Sequence, residues 1–531
     1  MITVLVDYST PSALQSEKDR ASLGFTANER RPVRFRGRIR KDAFLLRLAL
    51  RALGELIWSN DMWLESSAIL DPVITVHRDR IFFEAFSGDE SVYGIVIVDP
   101  SIFETEGEIV TGTTNVDFSA WLWAALAELR TSRETWLTID PSGFEVKTTG
   151  AGGRFEQKVE LPLPWVRAFL EISFSMSQPG TLITVRPVDL LSALRYLRYT
   201  KAKLSPRAMR YEFEPGCDAT VVLEPWEHRV PLRGASHGYD QTKIIRTWGR
   251  RRLKLIEPLL PFADSVDIYL KGRAMPSFYA VRMSGITFVT GLSGWSGSRW
   301  TDGRNLELAL LNSQIDPLLL EKALDALKEA VTMTPAALTG LLGVDQKTAT
   351  ALFSGLCRRG QAIYDIEGRA FRHRKLFEKP VDEEIVFPPE ERRERAIEMM
   401  EKGEARADSV SPRETRKVRR LPSPDGLLSR EVVYRDWQIS GKAGAFDGVE
   451  IVVNEGGRII FGRCGCPFFT ENLLNRGPCE HMLALYGKGM DRIRDLPTST
   501  EITGTATPDE PSERRRREEG DGGDDTESPE E

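Results

Sequence analysis

Apolar and polar residues follow two rhythms along this chain, and the change of rhythm near residue 306 is its main division. Val33, Phe35 and Ile39 alternate with Arg34, Arg36 and Arg38 inside the basic segment 30–41, which predicts a strand with one apolar and one cationic face. An edge strand whose solvated arginines discourage pairing is the first expectation, and a nucleic-acid surface is the second. Asp42 then caps a predicted amphipathic helix through Phe44, Leu45, Leu48, Ala52 and Leu56. Strand-like runs follow at 73–77, 80–83, 93–98 and 136–139, around a buried helix at 118–129. A second round places strands at 159–163 and 181–185 and helices at 165–172 and 190–197. Strands and helices mixed in this way predict an α+β region over residues 1–305, with two subdomains meeting near residue 150.

Two stretches of that region carry candidate chemistry. Arg250 and Arg251 open a helical pattern running from Trp248 to Leu260, either a solvated face or a grip for phosphate or an acidic partner. The Gly/Ser-rich loop 291–300 holds Trp295 and Trp300 but has no Gly-Lys-Ser/Thr, so it is not a phosphate-binding loop. Its tryptophans are expected to anchor it against a core.

From 306 the rhythm becomes helical. Leu318–Val331 reads as one helix, and Thr334-Pro335 starts a second that Gly343 ends. Asp345 caps a third, Gln346 to Arg359, and a hairpin follows with its turn at Glu367-Gly368. This order predicts a winged-helix-like domain over 306–377. Leu352, Phe353 and Leu356 are expected inside, with Gln346, Lys347, Thr350 and Ser354 outward as base-reading groups. Arg358, Arg369, Arg372 and Arg374 are the cations expected to hold phosphates around the wing, and a plain protein-docking role remains the alternative.

Residues 378–425 read as a charged linker with one salt-bridged helix between proline-bearing flanks. Past residue 497 a tail rich in Thr, Pro, Glu, Asp and Gly is expected to be disordered. The tail also changes the meaning of the net charge of −6, because from Asp509 onward eleven acidic residues face four arginines. The remainder is therefore near neutral, without the broad positive field that drives non-specific DNA binding. A content of 41% hydrophobic and 28% charged residues suits folded domains and excludes wholesale disorder. No apolar run approaches the ~20 residues of a membrane-spanning helix, and residues 1–7 lack the basic start of a secretory signal. A cytoplasmic chain without a membrane partner is expected.

The scarcest residues supply the sharpest signal. Three of the five cysteines, Cys464, Cys466 and Cys479, stand beside His481, one of five histidines. Thiolate and imidazole at this spacing suit one tetrahedral Zn2+, and four protein ligands leave no open position for a reacting water. A disulfide is disfavoured in a cysteine-poor intracellular chain. No hydrolase, zinc-protease, Walker or dinucleotide motif occurs in a supporting context. His77, His228 and His237 are isolated, and Cys217 and Cys357 have no base partner, so an enzyme is not expected.

The order Cys-x-Cys, spacer, Cys-x-His, after a β-rich stretch and before a helix, resembles the SWIM zinc finger. The stretch from Val432-Val433-Tyr434 to Ile459-Ile460-Phe461 carries the likeness, with turns at Asp447-Gly448 and Glu455-Gly456-Gly457. Pro467 and the apolar run 482–485 extend it across about residues 426–490. Glu480 departs from the basic residue common before the family's histidine and weakens a phosphate contact there. The resemblance implies a small treble ββα zinc module at 426–496 that binds protein or DNA. The arginine run at 250–252 and the tryptophan loop also resemble the N-terminal part of bacterial SWIM-containing proteins. Some of these are encoded beside MoxR-type AAA+ ATPases, which implies a multiprotein assembly. The combined expectation is a zinc-binding, non-enzymatic adaptor, with a DNA-binding regulator as the alternative.

Overall fold

The computed structural model describes residues 6–8, 12–16, 19–27, 33–40, 42–58, 72–88, 91–116, 118–130, 132, 134–141, 155–157, 163–202, 208–271, 276–293, 315–377, 381, 391–423, 426–453, 459–474, 478–494 and 507–508. The fold is a mixed α/β arrangement in which the described strands form six sheets.

The largest sheet has eight antiparallel strands. Its order is Thr181–Val185, Ser265–Leu270, Ser277–Met283, Ile286–Leu292, Val92–Val98, Ile81–Phe86, Val73–Val76 and Gly112–Asn115. Every residue of Val92–Val98 is buried, because alternate side chains enter different cores. Val92, Val96 and Val98 join the core that holds Leu46, Leu50 and Leu53 of helix Ala43–Trp58. Tyr93, Ile95 and Ile97 join Phe169, Ile172 and Met176 of helix Leu163–Ser177. The result is a helix–sheet–helix sandwich. Within it Ile286–Leu292 pairs directly with Val92–Val98, so this sheet draws strands from both sides of residue 150. Of the strand expected at 159–163, residues 159–162 lie outside the described ones, and Leu163 opens the helix.

Gly54 marks a close crossing in this layer. A Cβ there would sit 2.0 Å from Cδ1 of Trp123, whose indole N–H donates to the carbonyl of Arg51. Gly54→Ala is expected to force the tryptophan out of place and cost about 1–3 kcal/mol, read as a lowered midpoint in thermal denaturation.

The basic strand Phe35–Ile39 forms with the predicted alternation, but it is not an edge strand. It lies between Glu134–Asp140 and Phe103–Thr105 in a five-stranded sheet. The neighbours supply acids to its cationic face: Arg34 meets Asp140 at 3.5 Å, Arg36 meets Glu106 at 3.1 Å, and Arg38 meets Glu104 and Glu134. That face is neutralised from within the sheet.

The helical region folds as read, with helices Pro317–Ala330, Pro335–Leu342 and Gln346–Arg358. Asp316, Thr334 and Asp345 cap them through their side-chain oxygens. Gly343 closes the second helix in the left-handed region at φ 67°. Strands Ala362–Asp365 and Ala370–His373 pair, and Thr332–Met333 adds to the latter.

The C-terminal region departs furthest from expectation. Helix Glu391–Glu401 lies within the predicted linker, but Ala405–Ser423 is a strand paired along its length with Gly426–Ala443. Phe446–Val453 and Ile459–Arg463 extend the sheet on one side, and Thr507–Pro508 also pairs with Gly426–Ala443. Ala396, Ala405 and Ala407 share a core with the three clustered cysteines, so part of the supposed linker packs with the cysteine-bearing module. The first hairpin turn falls at Gly444-Ala445 rather than at Asp447-Gly448, with Gly444 at φ 56°. Residues 294–300, 454–458 and most of 497–531, which carry the tryptophan loop, the second predicted turn and the acidic tail, lie outside the described residues. No described helix is long and apolar enough to cross a membrane.

Candidate metal centre

Each ligand is delivered by a separate local device. Strand Ile459–Arg463 ends at Cys464, and Gly462 lets Met482 of helix Glu480–Arg494 lie directly over that strand. A Cβ at Gly462 would stand 2.7 Å from the methionine side chain. Cys466 is the N-cap of the short helix Pro467–Asn472, so Pro467 starts a helix, the strand having already ended at Arg463. The Cys466 sulfur accepts the backbone N–H of Phe469 at 3.4 Å. Cys479 precedes helix Glu480–Arg494, its carbonyl accepting from Leu483 at 3.0 Å. His481 falls in that helix's first turn.

The ligand atoms of Cys464, Cys466, Cys479 and His481 all lie within 4.8 Å of one another, and all four residues are buried. Tetrahedral coordination by sulfur and imidazole at ~2.0–2.3 Å sets ligand atoms about 3.3–3.8 Å apart. The cluster therefore needs only a small contraction to hold a metal ion. His481 supports that fit, because its Nδ1 is buried without a hydrogen-bond partner. The Cδ2–Nε2 edge of the ring lies against Gly444, and Phe446 packs edge-on at 4.6 Å. Among the thiols, the hydrogen bond from Cys479 pulls Cys464 down to about 4, and the same bond pushes Cys479 up. Burial raises Cys466. A bound cation would favour the thiolate form of all three.

Helix Glu391–Glu401 braces the site. Arg392 donates to the carbonyl of Pro478 at 3.2 Å, and its guanidinium lies 4.6 Å above the ring of Phe468. A Cβ at Gly487 would meet the Met400 sulfur at 2.5 Å, so the two helices touch closely. Sequence reading missed this support, although Ala396, Met399 and Met400 show the i, i+3, i+4 spacing of a packed face.

The residues expected to contact nucleic acid are split between surface and interior. Gln346, Lys347, Arg369 and Arg251 are exposed, and Thr350 is half-buried with its hydroxyl donating to the Gln346 carbonyl. Arg250, Arg358, Arg372 and Arg374 are buried instead, as is Ser354. Arg372 forms a bidentate pair with Asp79 at 2.7 and 2.8 Å and reaches Asp365 at 3.1 Å. Arg374 grips both carboxylate oxygens of Glu84, at 2.7 and 2.6 Å, and donates to Ser173. Arg250 donates to the carbonyls of Ala208 and Glu224. For Arg358, Arg372 and Arg374 the reason is the docking of the three-helix unit on the N-terminal body, whereas Arg250 is buried within that body. Ser177 lies 3.5 Å from Ser354, and Tyr269 donates to the Ile366 carbonyl at 2.8 Å. The C-terminal half of the expected reading helix faces protein. Glu84 was the overlooked signal, a carboxylate in the apolar run 81–86 that requires a buried partner.

No family model and no curated protein matches the chain. Among solved structures, a proliferating cellular nuclear antigen from Entamoeba histolytica is similar over 49% of this chain and 98% of its own, with 13% identity and a TM-score of 0.33. A likeness of that size carries no argument about fold or function.

Proposed function

We propose that this protein is a non-enzymatic adaptor whose C-terminal module, of SWIM type, is held by one structural Zn2+ and presents a surface to a protein partner. The closed cage of Cys464, Cys466, Cys479 and His481 carries this reading: four protein ligands, all buried, favour a structural ion over a catalytic one. Bound zinc would cross-link the strand end at Cys464 to the helix start at Cys479 and His481. The chain's own residues do the rest. Arg392 fixes the loop before Cys479, and Met482 and Leu485 join the module's core. The winged-helix-like unit supports the same picture, since Arg372 and Arg374 weld it to the N-terminal body and leave it as scaffold. DNA reading by that unit is disfavoured for the same reason, and a MoxR-type AAA+ ATPase is the first cytoplasmic partner to test.

The test is metal analysis and co-purification of the full chain from its native cells. We expect about one zinc per chain and a partner that is lost with Cys464→Ser plus Cys479→Ser. A partner retained at full stoichiometry by that metal-free variant would refute the adaptor reading.

A further inference from the structure

Three arginines of the N-terminal body gather without a carboxylate between them. Arg47 and Arg51 stand one turn apart on helix Ala43–Trp58, and so on one face of it. The Arg47 guanidinium reaches the end of the short helical turn Leu126–Glu128. There it donates to the carbonyls of Ala127 at 3.2 Å and Leu129 at 2.9 Å. Arg130 is the next residue, so a third cation enters beside the first. Arg47 and Arg51 are half-buried and Arg130 is exposed.

Uncharged groups hold the first two in place. The Arg47 guanidinium lies 4.7 Å from the centre of the Phe44 ring, and that of Arg51 lies 5.5 Å from the Trp123 ring. The indole is fixed in turn, since its N–H donates to the Arg51 carbonyl and its edge lies against Gly54. Among the described residues no carboxylate forms an ion pair with any of the three. Glu55 and Glu128, close to them in sequence, are exposed and do not pair with them. Burial first, and then the charges of Arg51 and Arg130, hold the Arg47 guanidinium below its ordinary value. Like charges one turn apart on a helix cost stability. The five-stranded sheet shows how this chain otherwise treats such clusters, with Arg34, Arg36 and Arg38 each facing an acid. Folding alone does not favour the arginine cluster, and an anion would reverse its sign.

We propose that Arg47, Arg51 and Arg130 form a binding site for an oligophosphate anion, either free or as the phosphate chain of a nucleotide. Guanidinium forks match phosphate oxygens in shape and charge. Two of them one helical pitch apart, about 5.4 Å, suit linked phosphates better than a single one. Phe44 and Trp123 already carry guanidinia on their faces, so the site reads phosphate and not a base. It is independent of the adaptor reading, which concerns the C-terminal module.

The test is isothermal titration calorimetry of the full chain with inorganic triphosphate and with ATP, at about 25 and 200 mM salt. A Kd below about 1 mM is expected at the lower salt, with weaker binding at the higher one as exposed charges are screened. Arg51→Gln plus Arg130→Gln keeps Arg47 on its carbonyls and should weaken binding by at least about tenfold. Zinc content and circular dichroism should not change. The control Arg34→Gln plus Arg36→Gln, on the acid-paired sheet, should bind like the parent. Equal affinity for the two ligands would assign the site to free oligophosphate. Tighter ATP binding, lost in the same variant, would name a nucleotide as the source. No binding at low salt would overturn the proposal, as would a variant that binds like the parent or an equal loss in the control. Poly-glutamate bound as tightly as triphosphate would also overturn it and assign the cluster to an acidic protein.

Discussion

Replacing Arg374 by methionine is expected to lower global stability by about 3–5 kcal/mol, among the largest effects of any single substitution in this chain. Arg374 and Glu84 are both 0% exposed in their side chains and bind through two short hydrogen bonds. Glu84 also accepts from the Tyr93 hydroxyl at 2.7 Å, and Arg374 donates to Ser173. Removing the guanidinium leaves a carboxylate in the apolar interior of the sandwich with one neutral donor. Burial and the neighbouring carboxylate both push the Tyr93 hydroxyl well above its ordinary value, so it remains protonated and cannot replace the lost charge. The double variant Glu84→Leu plus Arg374→Met is expected to recover most of the loss, because well-packed apolar pairs replace buried ion pairs at little cost. Urea denaturation of the three proteins checks both statements. Equal loss in the single and double variants would sink the explanation.

The position of this pair decides how the N-terminal body and the three-helix unit behave together. Glu84 belongs to strand Ile81–Phe86 of the large sheet, whereas Arg374 follows the last strand of the three-helix unit, 290 residues later. Arg372 repeats the device with Asp79. Ile363, Ile366, Leu376 and Phe377 share a core with Phe169 and Tyr93. The two regions should therefore melt as one transition, whatever their separate secondary structures suggest.

The same pair shows what sequence reading could and could not reach. Local devices were legible. The alternation that places Phe35 inside and Arg36 outside, and the Asp345 cap of Gln346–Arg358, depend on neighbours a few residues away. The metal ligands were legible because their chemistry is written in residue type, within eighteen positions of one another. Arg374 was not legible, because an arginine's setting depends on which distant carboxylate the fold brings to it. The strand pair at 405–443 was misread for a different reason. Over 413–423 and 426–436 its sequence lacks the apolar alternation that marks a half-buried strand. Pro412 and Pro422 then made it look like a linker, although Pro412 stands opposite Trp437 in the ladder. The joining of residues 92–98 to 286–292 lay beyond reach as well, since nothing local records it.

Removing the metal with a strong chelator is expected to unfold the C-terminal module while leaving the N-terminal body and three-helix unit intact. The hydrophobic cores explain the separation. The cysteines share their core with Ala396, Ile439, Ile451, Met482 and Leu485, and none of these belongs to the clusters around the large sheet. In that core Cys464, Cys466 and Cys479 occupy positions that aliphatic side chains would otherwise fill. A structural zinc ion contributes about 10–16 kcal/mol to such a module at neutral pH, as much as the ~5–15 kcal/mol that a whole domain holds in total. Stripped of metal, the module should lose its helix Glu480–Arg494 and become open to proteolysis between 391 and 494. Calorimetry should show the lower of two transitions vanish on chelation and return with added zinc, while the upper one moves by less than about 1 °C. Proteolysis of the stripped protein should leave a stable fragment ending before residue 391. Two unchanged transitions after complete metal removal would mean that the cysteine cluster is held by packing alone.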